Sequence, residues 1–422
     1  MSNNILSLVP RMLAGDELKA KLEAKPYYDE RIREKGQAER LVAMNDIYGV
    51  YLPSDMSMEI YSKIYLAMLR SLQKKESKLA MEQRNENFKV LKGQLSVSSY
   101  QGIVGGSDSF TIIGSSGIGK SSAISRAIEL ATENKIIVLE EPFLCKIIPC
   151  IVVQCPFDCS VKSLFLQILK QVDEEIKTHY YEMAIKSKAT TDMLIGIVSQ
   201  VALNHIGLLV VDEIQNVVRH KGGVQLVGML TQLINNSGIS IGMVGTPEVE
   251  IFFERVDYLA RRSLGLKYDR CEYNEYFCEV CKELYSLQYV QKRTEITDAA
   301  TRWLYEHSGG VIALVVALIH DAQEIAILEG IESLDLSTLH RAYDERLGLM
   351  HEHIRPMVRT LPNSNQGIKA MELPVQERKQ ETMETFTIEQ LVTMAKKTNM
   401  NIVDLLRDKI GLTEIEVEAS VV

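Results

Sequence analysis

The strongest chemical signal in the sequence is a run of eight consecutive residues. Gly114-Ser115-Ser116-Gly117-Ile118-Gly119-Lys120-Ser121 matches the pattern G-x-x-x-x-G-K-[ST], and Ser122 follows it directly. Glycines at these positions let successive backbone N–H groups turn inward around a phosphate, and a following helix adds partial positive charge. Lys120 would neutralise the β- and γ-phosphates, and the Ser121 hydroxyl would ligate Mg²⁺. Residues 114–122, here called the P-loop, are therefore predicted to bind a nucleoside triphosphate.

Two acidic residues follow an apolar run later in the chain. In Leu208-Leu209-Val210-Val211-Asp212-Glu213, a predicted strand delivers Asp and then Glu at its end, which is the Walker B pattern. Asp212 is expected to hold Mg²⁺ through water, and Glu213 to orient and polarise the attacking water. A Glu at this position favours hydrolysis over simple nucleotide holding, because water needs a base or a positioning group. Taken alone, the run is also compatible with a strand that ends at the surface.

Two polar features come after these motifs. Gly245-Thr246-Pro247 closes a predicted strand, so the Thr246 side chain would lie between the motifs and contact the γ-phosphate or the water. An ordinary turn is the alternative. Arg261 and Arg262 stand on a helical stretch, where paired arginines suit a finger offered to a neighbouring subunit's γ-phosphate. For this pair, a solvated basic face or a DNA contact is the alternative.

The hydrophobic pattern predicts the elements that position these residues. Runs rich in Ile and Val alternate with helical stretches, which favours an α/β fold with a parallel sheet covered on both faces. We expect the following division: an N-terminal helical extension over residues 1–92, a nucleotide-binding core over 93–265, an all-helical lid over 266–350, and a linker with a small helical tail over 351–422.

Composition sets limits on the function. Of 422 residues, 46% are hydrophobic and 24% charged, and 47 Lys+Arg against 56 Asp+Glu give a net charge of −9. This acidic balance argues against binding nucleic acid through bulk charge but permits a local basic groove. The N-terminal residues lack a signal-peptide pattern, and no apolar run is long enough to span a bilayer. We therefore expect a cytoplasmic protein with no membrane partner and with reduced cysteines, whose spacing does not favour a metal site.

The order of these motifs resembles that of an AAA+ ATPase, and their wording resembles the TnsC/TniB family of target-selection ATPases from Tn7-like transposons. The resemblance covers roughly residues 45–345. It is carried by the P-loop and by four further segments: Gly207-Leu208-Leu209-Val210-Val211-Asp212-Glu213-Ile214-Gln215, Gly245-Thr246-Pro247, Ala260-Arg261-Arg262-Ser263 and Pro156–Phe165. The sequence departs from many AAA+ lids at Gly309-Gly310, which is followed by Val311-Ile312-Ala313 and not by an arginine.

This resemblance implies an AAA+ P-loop NTPase core, with a helical lid and helical N- and C-terminal extensions, acting as a DNA-transposition regulator. Such proteins bind ATP with Mg²⁺ and assemble on double-stranded DNA as homo-oligomeric rings or helical filaments. They bridge a target selector of the TniQ or TnsD type to a transposase of the TnsA/TnsB type, and hydrolysis resets the assembly. The tail over residues 351–422 is expected to engage the transposase.

Candidate DNA-contacting residues come from two sources. Lys162 and Thr191 match backbone-contacting segments of the resembled family, and each opens a helical pattern whose amino end suits a phosphate. The loop containing Arg219 and Lys221 is a second basic candidate. A solvated lysine and an ordinary helix cap are the alternatives for Lys162 and Thr191.

Two other functions stay open at this point. The protein would be a different AAA+ initiator or helicase-loader-like ATPase if it needs no transposase. It would be a nucleotide-stabilised adaptor if it assembles with little turnover.

Overall fold

The computed structural model describes residues 5–76, 109–139, 145–254 and 265–348. Arg261, Arg262 and the tail over residues 351–422 lie outside these ranges. The predicted roles of these residues therefore stay predictions.

A six-stranded sheet forms the centre of the described chain, in the order β2-β3-β4-β5-β1-β6. Its strands are β1 Phe110–Gly114, β2 Ile137–Leu139, β3 Cys145–Gln154, β4 Ile206–Asp212, β5 Ser240–Gly245 and β6 Leu266–Tyr268. All neighbouring pairs are parallel except β2 with β3. Because parallel strands end on the same side, the residues that follow β1, β4 and β5 meet at one edge of the sheet, here called the carboxyl edge.

Helices on one face of the sheet are α5 Val161–Ile176, α6 Tyr180–Lys186, α7 Thr191–His205 and α9 Gly223–Ser237, with the short α8 Asn216–Arg219 and α10 Glu250–Glu254 beside them. Their buried apolar residues form one core with β3, β4 and β5. Helix α5 follows β3 in the chain. Helix α7 ends directly before β4 starts, and α9 ends directly before β5 starts. All three of these long helices therefore point their amino ends towards the carboxyl edge.

The opposite face is covered by α3 Asp55–Lys75 and α4 Lys120–Thr132, with α1 Gly15–Leu22 packed beside them. Helix α3 begins with a cap in which the Ser54 hydroxyl accepts a hydrogen bond from the Ser57 N–H. Its fully buried residues Ile60, Ile64 and Met68 recur at the spacing of one helix face, as the sequence predicted. A helix from the N-terminal extension thus belongs to the core of the nucleotide-binding fold.

A second core contains the lid helices α11 Glu275–Ser286, α12 Asp298–Ser308, α13 Ile312–Leu328 and α14 Leu336–Arg346. The N-terminal helix α2 Gln37–Ala43 and the residues that follow it also pack into this core. The Arg40 guanidinium, 3% exposed, forms a two-pronged ion pair with the Glu332 carboxylate at 2.6 and 2.7 Å. The N-terminal extension therefore packs on both cores, with most of residues 28–52 on the lid and with residues 5–22 and 54–75 on the sheet.

Two short strands correct the sequence prediction. Residues 266–350 were expected to be all-helical, but Leu266–Tyr268 forms β6, which pairs with β1 through Ile112 and Leu266. The antiparallel β2 was also not predicted in a sheet expected to be parallel. Both strands have three residues, which is too short for a hydrophobic repeat to show in the sequence.

Among the described helices, none alone is long and apolar enough to cross a membrane, although the bent pair α12 and α13 meets the criteria of length and composition.

Candidate nucleotide-binding site

The P-loop joins β1 to α4, as the sequence predicted. Strand β1 ends at Gly114 and α4 begins at Lys120, with Gly119 as its N-terminal flanking residue. Gly117 and Gly119 have φ values of +79° and +97°, in the left-handed region that favours glycine. The loop therefore curls back on itself and directs the amino end of α4 towards the space above the sheet, where an anion is stabilised.

The Lys120 ammonium is held at this loop. Its Nζ donates hydrogen bonds to the carbonyl oxygens of Gly114 at 2.7 Å and Ser115 at 2.8 Å. Burial lowers the pKa of Lys120 below its ordinary value, and the nearby carboxylates of Asp212 and Glu213 oppose that shift. A cation that is half-buried beside two carboxylates is well placed to meet the negative charge of a triphosphate.

Asp212 and Glu213 lie at the end of β4, next to the P-loop. The Glu213 N–H donates to Asp212 Oδ1 at 2.8 Å, and Glu213 has a left-handed φ of +57°. Ser121 and Asp212 line the same cleft and offer only oxygen atoms. Mg²⁺ prefers oxygen ligands and usually takes few of them from the protein, keeping waters and phosphate oxygens for the rest. The donor set therefore fits the predicted Mg²⁺.

Thr246 follows β5 and lines the cleft with these residues. Its Oγ1 is buried and has no hydrogen-bond partner among the described residues. A buried hydroxyl without a partner is costly, so this atom is suited to a group that enters the cleft, such as a phosphate oxygen or a water. The backbone N–H of Thr246 donates to Gln215 Oε1 at 3.3 Å, and Gln215 Nε2 donates in turn to the Glu213 carboxylate. Gln215 belongs to the run that carried the family resemblance, but sequence reasoning gave it no role.

The cleft has a volume of about 420 Å³ and takes its walls from three parts of the chain. The P-loop with the ends of β4 and β5 forms the polar part. The other two walls come from the N-terminal extension and the lid, and they are mostly apolar: Tyr48, Val50, Tyr51, Leu52, Met56, Tyr276, Val280, Leu284, Ile312, Ala313 and Val316. A polar half beside an apolar, tyrosine-bearing half matches a ligand with charged phosphates and a flat base. Sequence reasoning missed these two walls, because their residues look like ordinary core residues and lie far from the motifs in the chain.

The lid touches the P-loop where the expected arginine is absent. The Ala313 N–H, at the amino end of α13, donates to the Gly117 carbonyl at 3.1 Å. A Cβ at Gly117 would lie 2.7 Å from Val311 Cγ1, so the Val311 methyl group packs directly against the P-loop backbone. The lid of this chain therefore contacts the P-loop through backbone and methyl groups.

The candidate DNA-contacting residues lie towards the carboxyl edge. Lys162 is exposed in the first turn of α5, and Thr191 is the first residue of α7, where the neighbouring Thr190 supplies the cap by accepting from the Met193 N–H at 3.3 Å. Exposed Arg219 is the last residue of α8, where it pairs with Glu248 at 3.1 Å, and exposed Lys221 lies in the loop that follows α8.

The loop before α5 and the loop after α8 meet through a pair of rings. Phe157, in the first loop, and His220, in the second, have ring centroids 4.7 Å apart. This contact joins the loop that precedes Lys162 to the loop that contains Lys221. The structure brings Glu213, Thr246 and the P-loop together in the cleft, whereas the DNA candidates lie outside the lining of that cleft.

The sequence and fold were compared with known proteins. Residues 105–252 match the family model described as an AAA domain. No curated protein matches the sequence. Solved structures that are similar include the ORC2 protein of Aeropyrum pernix in ADPNP-ADP complexes, with 14% identity, a TM-score of 0.41 and coverage of 75% of this chain and 72% of that one. The ORC1 protein of Aeropyrum pernix in complex with DNA has 14% identity, a TM-score of 0.40 and coverage of 63% of this chain and 64% of that one. With the family match, the sheet order and the P-loop, the chain is built around an AAA domain on the AAA+ P-loop ATPase fold.

Proposed function

We propose that the protein binds ATP with Mg²⁺ and hydrolyses it in the cleft. The observation that supports this best is that Lys120, Asp212, Glu213 and Thr246, from separate parts of the sequence, line the same cleft. Lys120 and the P-loop N–H groups bind the phosphates, and Ser121 with Asp212 holds Mg²⁺. Mg²⁺, when bound, neutralises charge that builds up on the phosphates. Glu213 orients the attacking water, and Thr246 Oγ1 contacts that water or the γ-phosphate.

Two variants test this proposal. Lys120→Ala should lose ATP binding, because the triphosphate charge is then not neutralised in the loop. Glu213→Gln should keep binding but lose turnover by about 100-fold or more, the usual effect of removing a general base. Fluorescent-nucleotide binding and phosphate release measure the two effects separately. Lys135→Ala, an exposed lysine just after α4, is the matched control and should leave both unchanged. If Lys120→Ala still binds ATP as wild type does, the proposed site is wrong.

We also propose that this ATPase works in the cytoplasm as a DNA-transposition regulator. In this proposal it assembles as a ring or filament on duplex DNA and bridges a TniQ/TnsD-type selector to a TnsA/TnsB-type transposase. The support is the resemblance of the P-loop, the run that ends at Gln215 and the Gly245-Thr246-Pro247 segment to the TnsC/TniB family. The exposure of Lys162 and Lys221, beside two loops that contact each other through Phe157 and His220, also supports it, because a chain of net charge −9 needs a local basic surface to meet DNA.

DNA binding is tested by a charge change on that surface. The double variant Lys162→Ala, Lys221→Ala should bind duplex DNA more weakly. The slope of log K against log salt concentration should become shallower by about 2, the value expected for two lost phosphate contacts. Lys170→Ala, Lys177→Ala removes the same charge from the middle and far end of the α5 region and serves as the control. Equal DNA affinity in all three proteins would exclude this surface as the DNA contact.

The three functions that the sequence left open give different results. A regulator of transposition should show DNA-stimulated ATPase activity and retain a transposase co-encoded with it in a pull-down assay. An initiator or helicase loader should retain a helicase. An adaptor should assemble with ATP but show no stimulated turnover.

A further inference from the structure

The side chain of Gln215 connects Glu213 to Thr246, the two residues that the proposed ATPase reaction needs beside the attacking water. Its Nε2 donates to Glu213 Oε2, and its Oε1 accepts the Thr246 N–H at 3.3 Å. Gln215 is 8% exposed, whereas Glu213 is exposed at the end of β4. A buried amide thus fixes a carboxylate that otherwise projects into an open cleft.

We propose that Gln215 is a positioning residue for hydrolysis. It holds the Glu213 carboxylate at a fixed distance from Thr246, so that both residues can contact the attacking water beside the γ-phosphate. This inference rests on the proposed ATPase function. It concerns a residue that lines the cleft and acts through Glu213.

The chemistry of the two neighbours fixes the orientation of the amide. A carboxylate only accepts hydrogen bonds, and a backbone N–H only donates them. The amide NH₂ must therefore face Glu213 and the amide oxygen must face Thr246, since the reversed amide would place like groups together at both ends. A glutamine amide offers a donor and an acceptor at one end of a flexible side chain without adding charge.

The surrounding backbone is shaped to admit this amide. A Cβ at Gly245 would lie 2.9 Å from Gln215 Oε1 and 2.9 Å from Ile214 Cγ2, so a larger residue at this position would displace the bridge. The Ile214 N–H donates to the Val244 carbonyl at 2.9 Å, which ties the ends of β4 and β5 together beside it. The left-handed φ of Glu213 starts the turn that brings Gln215 back towards its own strand end.

This arrangement has a consequence for catalysis. One carboxylate oxygen of Glu213 is engaged by Gln215, which leaves Oε1 to accept a hydrogen bond from water. A carboxylate without that tether samples several rotamers, and a misplacement of about 1 Å can cost about 100-fold in rate. The tether should therefore affect the rate of hydrolysis far more than the affinity for nucleotide.

The experiment uses the full-length protein, with ATP turnover and ADP affinity measured on the same preparations. Gln215→Ala and Gln215→Met both remove the bridge, and Met keeps most of the side-chain volume. Each should lower kcat by about 10- to 100-fold and leave the ADP affinity unchanged. Gln167→Glu, at an exposed position on α5, is the control and should behave as wild type.

Gln215→Glu keeps the side-chain length but replaces the donor towards Glu213 by an acceptor. Two carboxylates then face each other, so Glu213 is pushed from its position. Turnover should fall at least as far as in Gln215→Ala, whereas the ADP affinity should stay unchanged. A purely structural role would lower both quantities together.

Wild-type kcat in Gln215→Ala or in Gln215→Glu would overturn the inference. Loss of ADP affinity in proportion to the loss of turnover would also overturn it, because the residue would then be structural. These results differ from failure of the proposed function itself. That failure would appear as full turnover in Glu213→Gln or as no turnover in the wild type, and the latter result would refute both proposals.

Discussion

At the scale of single residues, two residues of the cleft, Glu213 and Thr246, have features that lower the stability of the folded protein. Thr246 Oγ1 is buried without a partner in the described chain, and Glu213 adopts a left-handed backbone conformation that disfavours a residue with a Cβ. Strain of this kind persists where the surrounding structure enforces it, and it concentrates at functional sites. Here both residues lie in the cleft beside Lys120, which is where a nucleotide would compensate for the cost.

Thr246→Val tests this relation between stability and activity. Valine has nearly the same shape as threonine but lacks the hydroxyl, so the empty protein should gain up to about 1 kcal/mol in the free energy of unfolding. Turnover should fall at least about tenfold, because the contact to phosphate or water is lost. Urea denaturation and phosphate release measure the two quantities. Thr231→Val is the control. The Thr231 hydroxyl donates to the Val227 carbonyl away from the cleft, so its loss should not change turnover. An unaltered rate in Thr246→Val would leave this hydroxyl without a catalytic purpose.

At the scale of elements, the N-terminal extension is fastened to the lid by the pair of Arg40 and Glu332. Both groups are largely buried, and Arg40 Nη1 also donates to the Tyr289 carbonyl at 3.0 Å. Arg40→Ala leaves the Glu332 carboxylate without its partner and should cost about 3 kcal/mol in the free energy of unfolding at pH 7. Arg341→Ala breaks exposed ion pairs on α14 and should have little effect.

The same pair predicts a pH dependence. The hydrogen bond from Arg40 lowers the pKa of Glu332 below its ordinary value. The stabilisation is therefore complete above the pKa of an unfolded glutamate, about 4.3, and is lost as the pH falls through the lower pKa of the folded protein. The difference between wild type and Arg40→Ala in urea denaturation should shrink in that acidic range. A difference that stays constant down to pH 3 would contradict the assigned pair.

The elements also show what the sequence could and could not predict. Strands β1, β4 and β5 and helix α3 were predicted because their apolar repeats are long enough to be distinctive. Strands β2 and β6 were missed because three residues carry no repeat. Gln215 and the apolar walls of the cleft were missed for a different reason. Their importance lies in contacts between distant segments, such as the one between Gln215 and Thr246, and composition does not reveal those contacts.

At the scale of the whole molecule, the predicted arginine finger is expected to act between one subunit and the next. Arg261 and Arg262 lie outside the described residues, so a functional test has to locate them. Arg261→Ala, Arg262→Ala keeps an intact P-loop, whereas Lys120→Ala keeps intact arginines. Neither protein alone should hydrolyse ATP, but mixed oligomers should regain part of the activity where an intact P-loop meets an intact finger. Co-assembly without any recovery of turnover would argue against a finger that acts between subunits.

The tail gives a second test at this scale. From the sequence, the apolar residues between 386 and 409 are expected to form a helix face too small for a core of its own, and prolines between 356 and 374 precede them. Cutting the chain after Thr360 should leave DNA-stimulated ATPase activity nearly intact and reduce recruitment of the transposase in a pull-down assay. Loss of ATPase activity or of solubility would show instead that the tail packs on the body of the protein.

The N-terminal extension packs on both cores of the described chain, so the segment that matches the family model is shorter than the unit that folds. The match to the AAA domain covers residues 105–252, yet α3 lies before that range and covers β4 and β5, and β6 lies after it beside β1. A fragment cut at the limits of the match would lose Ile60, Ile64 and Met68 from the sheet face and would leave the edge of β1 unpaired. Such exposed faces and edges promote aggregation. The segment that matches the family model should therefore need its flanking segments to fold without exposing these faces.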